Sequence, residues 1–128
     1  MILDSSAVIA VLREEPGHRR LQVRLERASV LVMGAPTLFE TNLVMARRFG
    51  ETGQGLLGRF VEDWEVEVAP FGEQHLCVAI DAHARFGKGR HPARLNYGDC
   101  MTYATAKVAG EPLLFTGNDF ARTDIAPA

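Results

Sequence analysis

Short apolar runs alternate along the chain with longer segments whose apolar residues recur at helical spacing. Residues 2–3 predict a first short strand, and residues 5–12 predict a helix directly after it. A second helix is predicted over 17–28, where leucines stand one turn apart with arginines between them. The fully apolar run 30–33 is typical of a strand that lies buried between two layers of helices.

The same alternation continues through the rest of the chain. The helix predicted over 74–86 is amphipathic and carries Leu76, Ile80 and Ala84 on one face. The remaining predicted elements, in chain order, are a helix from Pro36 to about Phe49, a turn at Gly50, Gly53 and Gly55, a helix over 56–64, a strand over 66–68, a loop over 87–96, a helix over 99–109 that ends at Gly110, and a strand over 113–115.

Strands that alternate with helices predict an α/β protein with a mostly parallel sheet. We expect a three-layer α/β/α sandwich with about four or five strands, formed by a single domain over residues 1–128. Sheets of this kind bind ligands at the carboxyl ends of their strands. The position of each acidic residue relative to a strand end therefore carries information about function.

Composition narrows the class of protein. Of the 128 residues 47% are hydrophobic and 23% are charged, with a net charge of −2, which excludes disordered, collagen-like and coiled-coil chains. Cys77 and Cys100 form no CxxC pair, which argues against a zinc site and gives no disulfide framework. The sequence shows neither a leader peptide nor an apolar run long enough to cross a bilayer, so we expect a cytoplasmic protein.

Acidic residues fall at predicted strand ends and helix starts. Asp4 follows the first strand, and Glu40 lies in the opening turns of the helix after the second strand. Asp99 opens the helix before the last strand, and Asp119 follows that strand. Each alone has a structural interpretation as a helix cap, a first-turn acid or a turn former. Their coincidence at one edge of the sheet favours a shared pocket.

Such a cluster is unfavourable unless protons or a cation neutralise it, since two carboxylates about 5 Å apart repel by roughly 3 kcal/mol at an effective dielectric near 20. Oxygen ligands without cysteine or paired histidine favour Mg²⁺ or Mn²⁺, and a metal-bound water suits hydrolysis of a phosphodiester. The hydroxyls of Ser6 and Thr116, beside two of the acids, are candidates to position a water or a carboxylate, although both also fit as helix or turn residues.

A basic stretch precedes the third acid. Between Asp81 and Asp99 the chain has no acidic residue, and arginine outnumbers lysine 12 to 2 overall. A solvated loop explains such a stretch, but cations that lead directly into Asp99 favour a surface that attracts nucleic-acid phosphates. The candidate nucleic-acid-binding residues are Arg13, Arg47, Arg85, Lys88, Arg90 and Arg94.

Four stretches of the chain form a recognisable set of motifs. They are Met-Ile-Leu-Asp4-Ser-Ser-Ala, Pro36-Thr-Leu-Phe-Glu40, the run from Arg90 through Asp99 to Ala104, and Leu-Leu-Phe-Thr-Gly-Asn-Asp119-Phe. Together they resemble the PIN-domain ribonucleases, and more narrowly the VapC-type toxins of bacterial toxin–antitoxin pairs. The likeness covers essentially the whole chain in the same order, and its most specific part is residues 91–103.

The resemblance implies a Mg²⁺- or Mn²⁺-dependent endoribonuclease that leaves 5′-phosphate and 3′-hydroxyl ends. It also implies a homodimer that is inhibited by a small VapB-type antitoxin. By position, Asp4, Glu40 and Asp99 match the three core acids of the family. We expect Asp4 and Asp99 to hold the metal and Glu40 to bind it or orient its water.

The fourth acidic position departs from the family pattern. Many PIN domains have an acid at the place where this chain has Gly117. We expect Asp119 or Asn118 to substitute there, or the site to work with three acids and a water.

Two other functions are compatible with the residues to a lesser degree. A Mg²⁺-binding receiver-like signalling domain has a similar size. It needs an aspartate after the third strand, where this chain has Ala-Pro-Phe-Gly over 69–72. It also needs a lysine after the last strand, where this chain has Thr116. A PIN-like domain that binds RNA or a partner without cutting is the second alternative, and the intact core acids argue against it.

Overall fold

A computed structural model describes residues 1–128 as an α/β/α sandwich around a four-stranded sheet in the order β3-β2-β1-β4, with every pair of strands parallel. The predicted fold class is therefore confirmed. The elements are β1 (Ile2–Leu3), α1 (Ser5–Leu12), α2 (His18–Arg27), β2 (Val32–Gly34), α3 (Ala35–Asp63), β3 (Glu67–Ala69), α4 (Glu73–Phe86), α5 (Tyr97–Ala109), β4 (Leu113–Leu114) and a short 3₁₀ helix over Phe120–Arg122. None of the helices combines the length and the apolar character needed to cross a membrane.

Each face of the sheet has its own hydrophobic core. Side chains alternate between the two faces of a strand, so neighbouring residues of β1 enter different cores. Ile2 and Leu113 pack with α4 and α5 on one face. Leu3 and Leu114 pack on the other face with α1, α2 and the second half of α3. The central strands are consequently buried on both sides, as the apolar runs predict.

The boundaries of the first elements agree with the sequence prediction, whereas β2 and β3 begin later than predicted. β2 spans Val32–Gly34 instead of 30–33, and β3 spans Glu67–Ala69 instead of 66–68. The later start of β2 follows from its pairing with β1. β1 is only two residues long, and its first residue, Ile2, pairs with Val32. Val30 lies outside this pairing and is 44% exposed.

The turn predicted at three glycines is a single kink within α3. Gly50 alone leaves the helical conformation, with φ 59° and ψ −143°, a left-handed backbone that glycine adopts without a steric penalty. Gly53 and Gly55 lie inside the helix that follows, so the prediction of a turn there is wrong. A Cβ on Gly53 would collide with the backbone of Met45, which shows that the kink folds the two halves of α3 closely together.

The apolar face that the sequence predicts for α4 is not the face that enters the core. Leu76 and Ile80 are 50% and 63% exposed, and Ala84 is exposed as well. The buried residues are Ala79, Ala82 and Phe86. The two alanines permit a close approach of α4 to α5, and the larger aliphatic side chains remain outside the contact.

The last residues of the chain cover the outer edge of β4. The amide of Leu113 donates to the carbonyl of Ala126, and the amide of Ala128 donates to the carbonyl of Leu113, both at 2.9 Å. Asp124 fixes this segment, because its carboxylate accepts from the hydroxyl of Tyr103 at 2.6 Å and pairs with Arg85 and Lys107. A strand edge that would otherwise be open is thereby closed.

Candidate active site

The predicted acids lie at one edge of the sheet, beside the point where the order of its strands reverses. From β1 the chain proceeds to β2 and β3 on one side, then returns to β4 on the other side of β1. The amide of Asp4 donates to the carbonyl of Leu114 at 3.0 Å, so the ends of β1 and β4 lie side by side. Parallel sheets bind ligands at such switch points, because the loops diverge there and leave a crevice.

Asp4 is held in place by the start of α1. It is the N-cap of that helix and is only 5% exposed. Its Oδ2 accepts hydrogen bonds from the backbone N–H of Ser6 at 3.0 Å and from the Ser6 hydroxyl at 2.5 Å. The Ser6 Oγ accepts in turn from the amide of Thr116 at 3.0 Å. Ser6 therefore ties the first acid to the loop that follows β4, which is the positioning role expected of it.

Asp99 is fixed by a reciprocal cap at the start of α5. The amide of Asp99 donates to Asn96 Oδ1 at 2.9 Å, and the amide of Asn96 donates to Asp99 Oδ2 at 2.8 Å. Asp99 is half-buried. The capping interpretation and the functional interpretation of this residue therefore apply together, since only one carboxylate oxygen is engaged by the cap.

Glu40 reaches the same place from α3, and a glycine makes room for it. A Cβ on Gly98 would overlap the Glu40 carboxylate. Gly98 is buried and directly precedes Asp99. Because Gly98 has no side chain, the Glu40 carboxylate can lie against its backbone. Sequence reasoning missed this role, and the only signal for it was the position of the glycine next to an expected site residue.

The charges of these acids affect one another. Burial raises the pKa of Glu40, and the nearby charges of Asp4 and Asp99 raise it further. Burial also raises the pKa of Asp99, where the charges of Asp4 and Asp119 add to the effect and the hydrogen bond from Asn96 opposes it. The charges of Asp4 and Asp119 therefore act on Asp99, and the role of the four acids as one functional site stays a prediction.

The loop after β4 completes the site from the solvent side. Thr116, Gly117, Asn118 and Asp119 are all exposed. Gly117 has a φ of 86°, a left-handed conformation that glycine adopts readily, and the shape of the loop therefore suits glycine at the place of the family acid. Through its effect on Asp99, Asp119 is the member of this loop that contributes charge to the site.

The donor set suits a hard divalent cation, because carboxylate oxygens are the ligands that Mg²⁺ and Mn²⁺ prefer. Burial is the main cause of the raised pKa values of Glu40 and Asp99, and the charges of neighbouring acids add to it. The Glu40 carboxylate fills the space beside Gly98. In this structure no three carboxylate, imidazole or thiol side chains approach closely enough to enclose a metal ion. Metal binding would therefore require rotation of these side chains toward one another.

The predicted basic residues divide into paired and unpaired groups. Arg13 pairs with Glu15, and Arg85 uses both terminal nitrogens on Asp81 and Asp124. These two arginines are thus committed to contacts within the chain, which the sequence did not indicate. Of the predicted basic residues, those that are exposed and make no ion pair are Arg47, Lys88, Arg90 and Arg94.

Similarity to known proteins extends over the whole chain. The PIN domain family model matches residues 1–126. Ribonuclease VapC30 of Mycobacterium tuberculosis is 40% identical over 126 residues, which cover 98% of this chain and 96% of that protein. Ribonuclease VapC42 of the same species is 42% identical over 129 residues, which cover 100% of this chain and 98% of that protein.

Two solved structures share the architecture. VapC20 of Mycobacterium tuberculosis, described as a toxin that cleaves the sarcin–ricin loop, superposes with a TM-score of 0.79 at 15% identity and covers 99% of this chain and 97% of its own. VapBC2 from Rickettsia felis, bound to a promoter DNA fragment, gives a TM-score of 0.76 at 14% identity with coverage of 98% and 94%. At such identities the likeness bears on the fold alone.

Proposed function

Because this chain belongs to the PIN-domain family of VapC ribonucleases, we propose that its acidic site hydrolyses RNA with the help of Mg²⁺ or Mn²⁺. The observation that carries the proposal is geometric: Asp4 lies beside the end of β4, and the Glu40 carboxylate lies against Gly98, next to Asp99. The intact acids favour an enzyme over a PIN-like domain that only binds, and the family membership leaves no support for a receiver-like signalling domain.

Each acid has a distinct part in this mechanism. Asp4 and Asp99 would hold the cation, since hydrogen bonds already fix both carboxylates at the edge of the sheet. Glu40 would bind it or orient the attacking water, and Asp119 would close the shell from the exposed loop. A divalent ion bound here would lower the pKa of a water ligand and neutralise charge on the scissile phosphate.

The direction of attack follows from the products that the family leaves. The water attacks the phosphorus in line with the 3′ oxygen, which departs and takes a proton. The products then carry a 5′-phosphate and a 3′-hydroxyl. Ser6 keeps Asp4 in register with the loop of Thr116 during this step, because its hydroxyl contacts both.

The test compares variants of the acids with a matched control. Purified Asp4→Ala and Asp99→Ala proteins are expected to lose cleavage of structured RNA, and EDTA is expected to stop cleavage by the wild-type chain. Glu51→Ala removes an exposed acid of α3 as the control and keeps full cleavage. Cleavage that persists fully in EDTA would contradict the metal-dependent mechanism, and binding of RNA without any cleavage would support the non-catalytic alternative.

We further propose that a VapB-type antitoxin inhibits the protein in the cytoplasm. Phe39 and Leu43 of α3 are 63% and 52% exposed, and Phe39 directly precedes Glu40. An apolar segment bound there would lie beside the acids and would keep RNA away from them. Co-expression with the product of an adjacent short reading frame tests the pairing, and failure of that product to bind or inhibit would contradict it.

We also propose that two copies of the chain form a homodimer. An apolar groove of about 590 Å³ runs between α4 and α5 and includes Leu76, Ile80, Tyr97 and Met101. Its exposed aliphatic side chains fit a self-complementary contact between two copies. Light scattering of the wild type and of Ile80→Glu checks this surface, because the charged variant is expected to be monomeric. A monomeric wild type would contradict the dimer.

A further inference from the structure

Seven residues between α4 and α5 form an open basic concavity, here called the basic loop (residues 88–94). Its volume is about 470 Å³, and no apolar side chain lines it. Lys88, Arg90 and Arg94 are exposed and make no ion pair. Unneutralised cations this close together repel one another, so the loop is electrostatically suited to an anionic ligand.

Hydrogen bonds within the chain give the basic loop a fixed shape. The amide of Lys88 donates to the carbonyl of Leu95 at 3.0 Å, and the amides of Arg90 and His91 donate to the carbonyl of Gly87 at 3.0 and 3.1 Å. The edge of the His91 ring packs against Phe86, with ring centres 5.2 Å apart. A ligand that binds a loop already ordered in this way loses less conformational entropy than one that must order it.

Residues outside the basic loop also fix its position. Arg122 donates to the carbonyl of Pro92 at 3.3 Å, and Ala93 is fully buried beneath the loop. The cations therefore project from a surface that is anchored on both sides.

The frame of the basic loop continues into the frame of the acidic site. Leu95, which closes the loop, is fully buried and precedes Asn96. Asn96 caps α5 and exchanges hydrogen bonds with Asp99. Only four residues separate Arg94 from Asp99 along the chain. The chain therefore leads directly from the cations of the basic loop to the acid at the start of α5.

Arg94 occupies a backbone conformation that suits smaller residues. Its φ is 56°, and glycine or asparagine adopts this left-handed region at lower energy than arginine. The side chain makes no hydrogen bond or ion pair within the protein. The guanidinium group of Arg94 is thus not engaged within the protein and is free to contact a ligand.

We propose that the basic loop binds the backbone phosphates of single-stranded RNA next to the scissile bond, through Lys88, Arg90 and Arg94. The concavity is open to solvent and the three cations line it together, so the phosphates of one strand can reach all three. Planar guanidinium groups suit phosphate oxygens. The assignment rests on the proposed ribonuclease function and names the part of the surface that holds its substrate. Arg85 is not part of this surface, because its carboxylate partners already neutralise it.

The test measures the affinity of the full chain for a fluorescein-labelled single-stranded oligoribonucleotide of about 12 nucleotides, in EDTA and over a range of NaCl concentrations. The loop variant combines Lys88→Gln, Arg90→Gln and Arg94→Gln. The control variant combines Arg19→Gln, Arg20→Gln and Arg24→Gln, which remove equal charge from exposed positions of α2.

The loop variant is expected to bind roughly tenfold more weakly at low salt, and the slope of log Kd against log salt is expected to fall by about 2, since each phosphate contact on a single strand contributes about 0.7. The control variant is expected to keep most of the wild-type slope. Equal affinity and slope for the loop variant and the wild type would overturn the proposal, as would an equal loss in the control. Retained RNA affinity with a lost dimer would overturn it in favour of a protein contact.

A single substitution separates binding from folding. Arg94→Asn suits the left-handed backbone, so its melting temperature is expected to equal or exceed that of the wild type while its RNA affinity falls. A lower melting temperature with unchanged affinity would show a structural arginine and overturn the proposal. Cleavage by the wild type is scored separately with Mg²⁺. If the wild type binds RNA but never cuts it, the proposed function fails and the loop assignment is judged on binding alone.

Discussion

Thr37 and Thr102 share a buried hydrogen bond of 2.9 Å between their hydroxyls, and each stands one helical turn from an acid of the site. Thr37 precedes Glu40 on α3, and Thr102 follows Asp99 on α5. Both threonines are about 1% exposed. The contact therefore fixes the distance between the two helices just below the carboxylates that they carry.

A double-mutant cycle on this pair is expected to show strong coupling. Thr102→Val leaves the Thr37 hydroxyl buried without that partner, so the free energy of unfolding is expected to fall by about 1 to 2 kcal/mol. The variant with valine at both positions is expected to recover most of this loss, because two apolar groups of the same shape meet. Urea denaturation measures all four proteins. Additive losses would show that the threonines do not act as a pair.

Gly98→Ala is expected to separate stability from activity. The added Cβ displaces the Glu40 carboxylate, so RNA cleavage is expected to fall strongly. Because Glu40 can swing aside and alanine favours a helix, the free energy of unfolding is expected to stay the same or to rise by up to about 1 kcal/mol.

Gly55→Ala is the matched control for that experiment. A Cβ at Gly55 meets no other atom within 4 Å, and the residue lies in the second half of α3. This variant is expected to gain a similar helical stabilisation and to keep full cleavage. Full cleavage by Gly98→Ala would show that the position of Glu40 has no importance for the reaction.

Asp99→Asn and Asp99→Ala distinguish the charge of this residue from its cap. Asparagine keeps an oxygen that can accept from the amide of Asn96 and removes a charge that is repelled by its neighbours. The metal-free Asn variant is therefore expected to be at least as stable as the wild type. The Ala variant is expected to lose about 1 kcal/mol with the cap. In thermal melts with added Mg²⁺, both variants are expected to lose most of the stabilisation that the wild type gains.

Asp124 is expected to make the free energy of unfolding depend on pH in the acidic range. Burial tends to raise its pKa, but hydrogen bonds from Tyr103, Lys107 and Arg85 outweigh this effect and lower the pKa to about 2. An aspartate with a lowered pKa stabilises the folded state above its ordinary value of 3.8, and this stabilisation disappears as the pH falls through about 2. Near neutral pH, the free energy of unfolding of Asp124→Asn is expected to be about 1 kcal/mol below that of the wild type. On acidification, the free energy of unfolding of this variant is expected to fall by less than that of the wild type. Parallel acid titrations of the two proteins by circular dichroism would contradict this.

The sequence predicted the acids of the site because their positions depend on local order along the chain. Asp4 and Asp119 follow strands, and Asp99 opens a helix, so a parallel sheet brings them to one edge whatever the details of packing. Gly98 and the pair Thr37–Thr102 were not predictable in this way. Their roles arise from contact between α3 and α5, which no spacing along the sequence specifies.

Periodicity identified α4 as a helix but did not identify its buried face. The helix has two apolar stripes, and Leu76 with Ile80 makes the more hydrophobic one. Ala79 and Ala82 form the core stripe because small side chains let α5 approach closely. The ion pair of Arg85 with Asp124 could not be predicted from periodicity either, because Asp124 lies far away along the chain.

The hydrogen bond from Asp4 to Leu114 joins residues separated by almost the whole length of the chain. During synthesis, the amino-terminal residues leave the ribosome first, long before the residues with which they pair in the folded domain. A growing polypeptide that already displays Asp4 and Glu40 still lacks Asp99, β4 and the loop that carries Asp119. The order of the strands therefore delays assembly of the proposed acidic site until translation of the chain is nearly finished.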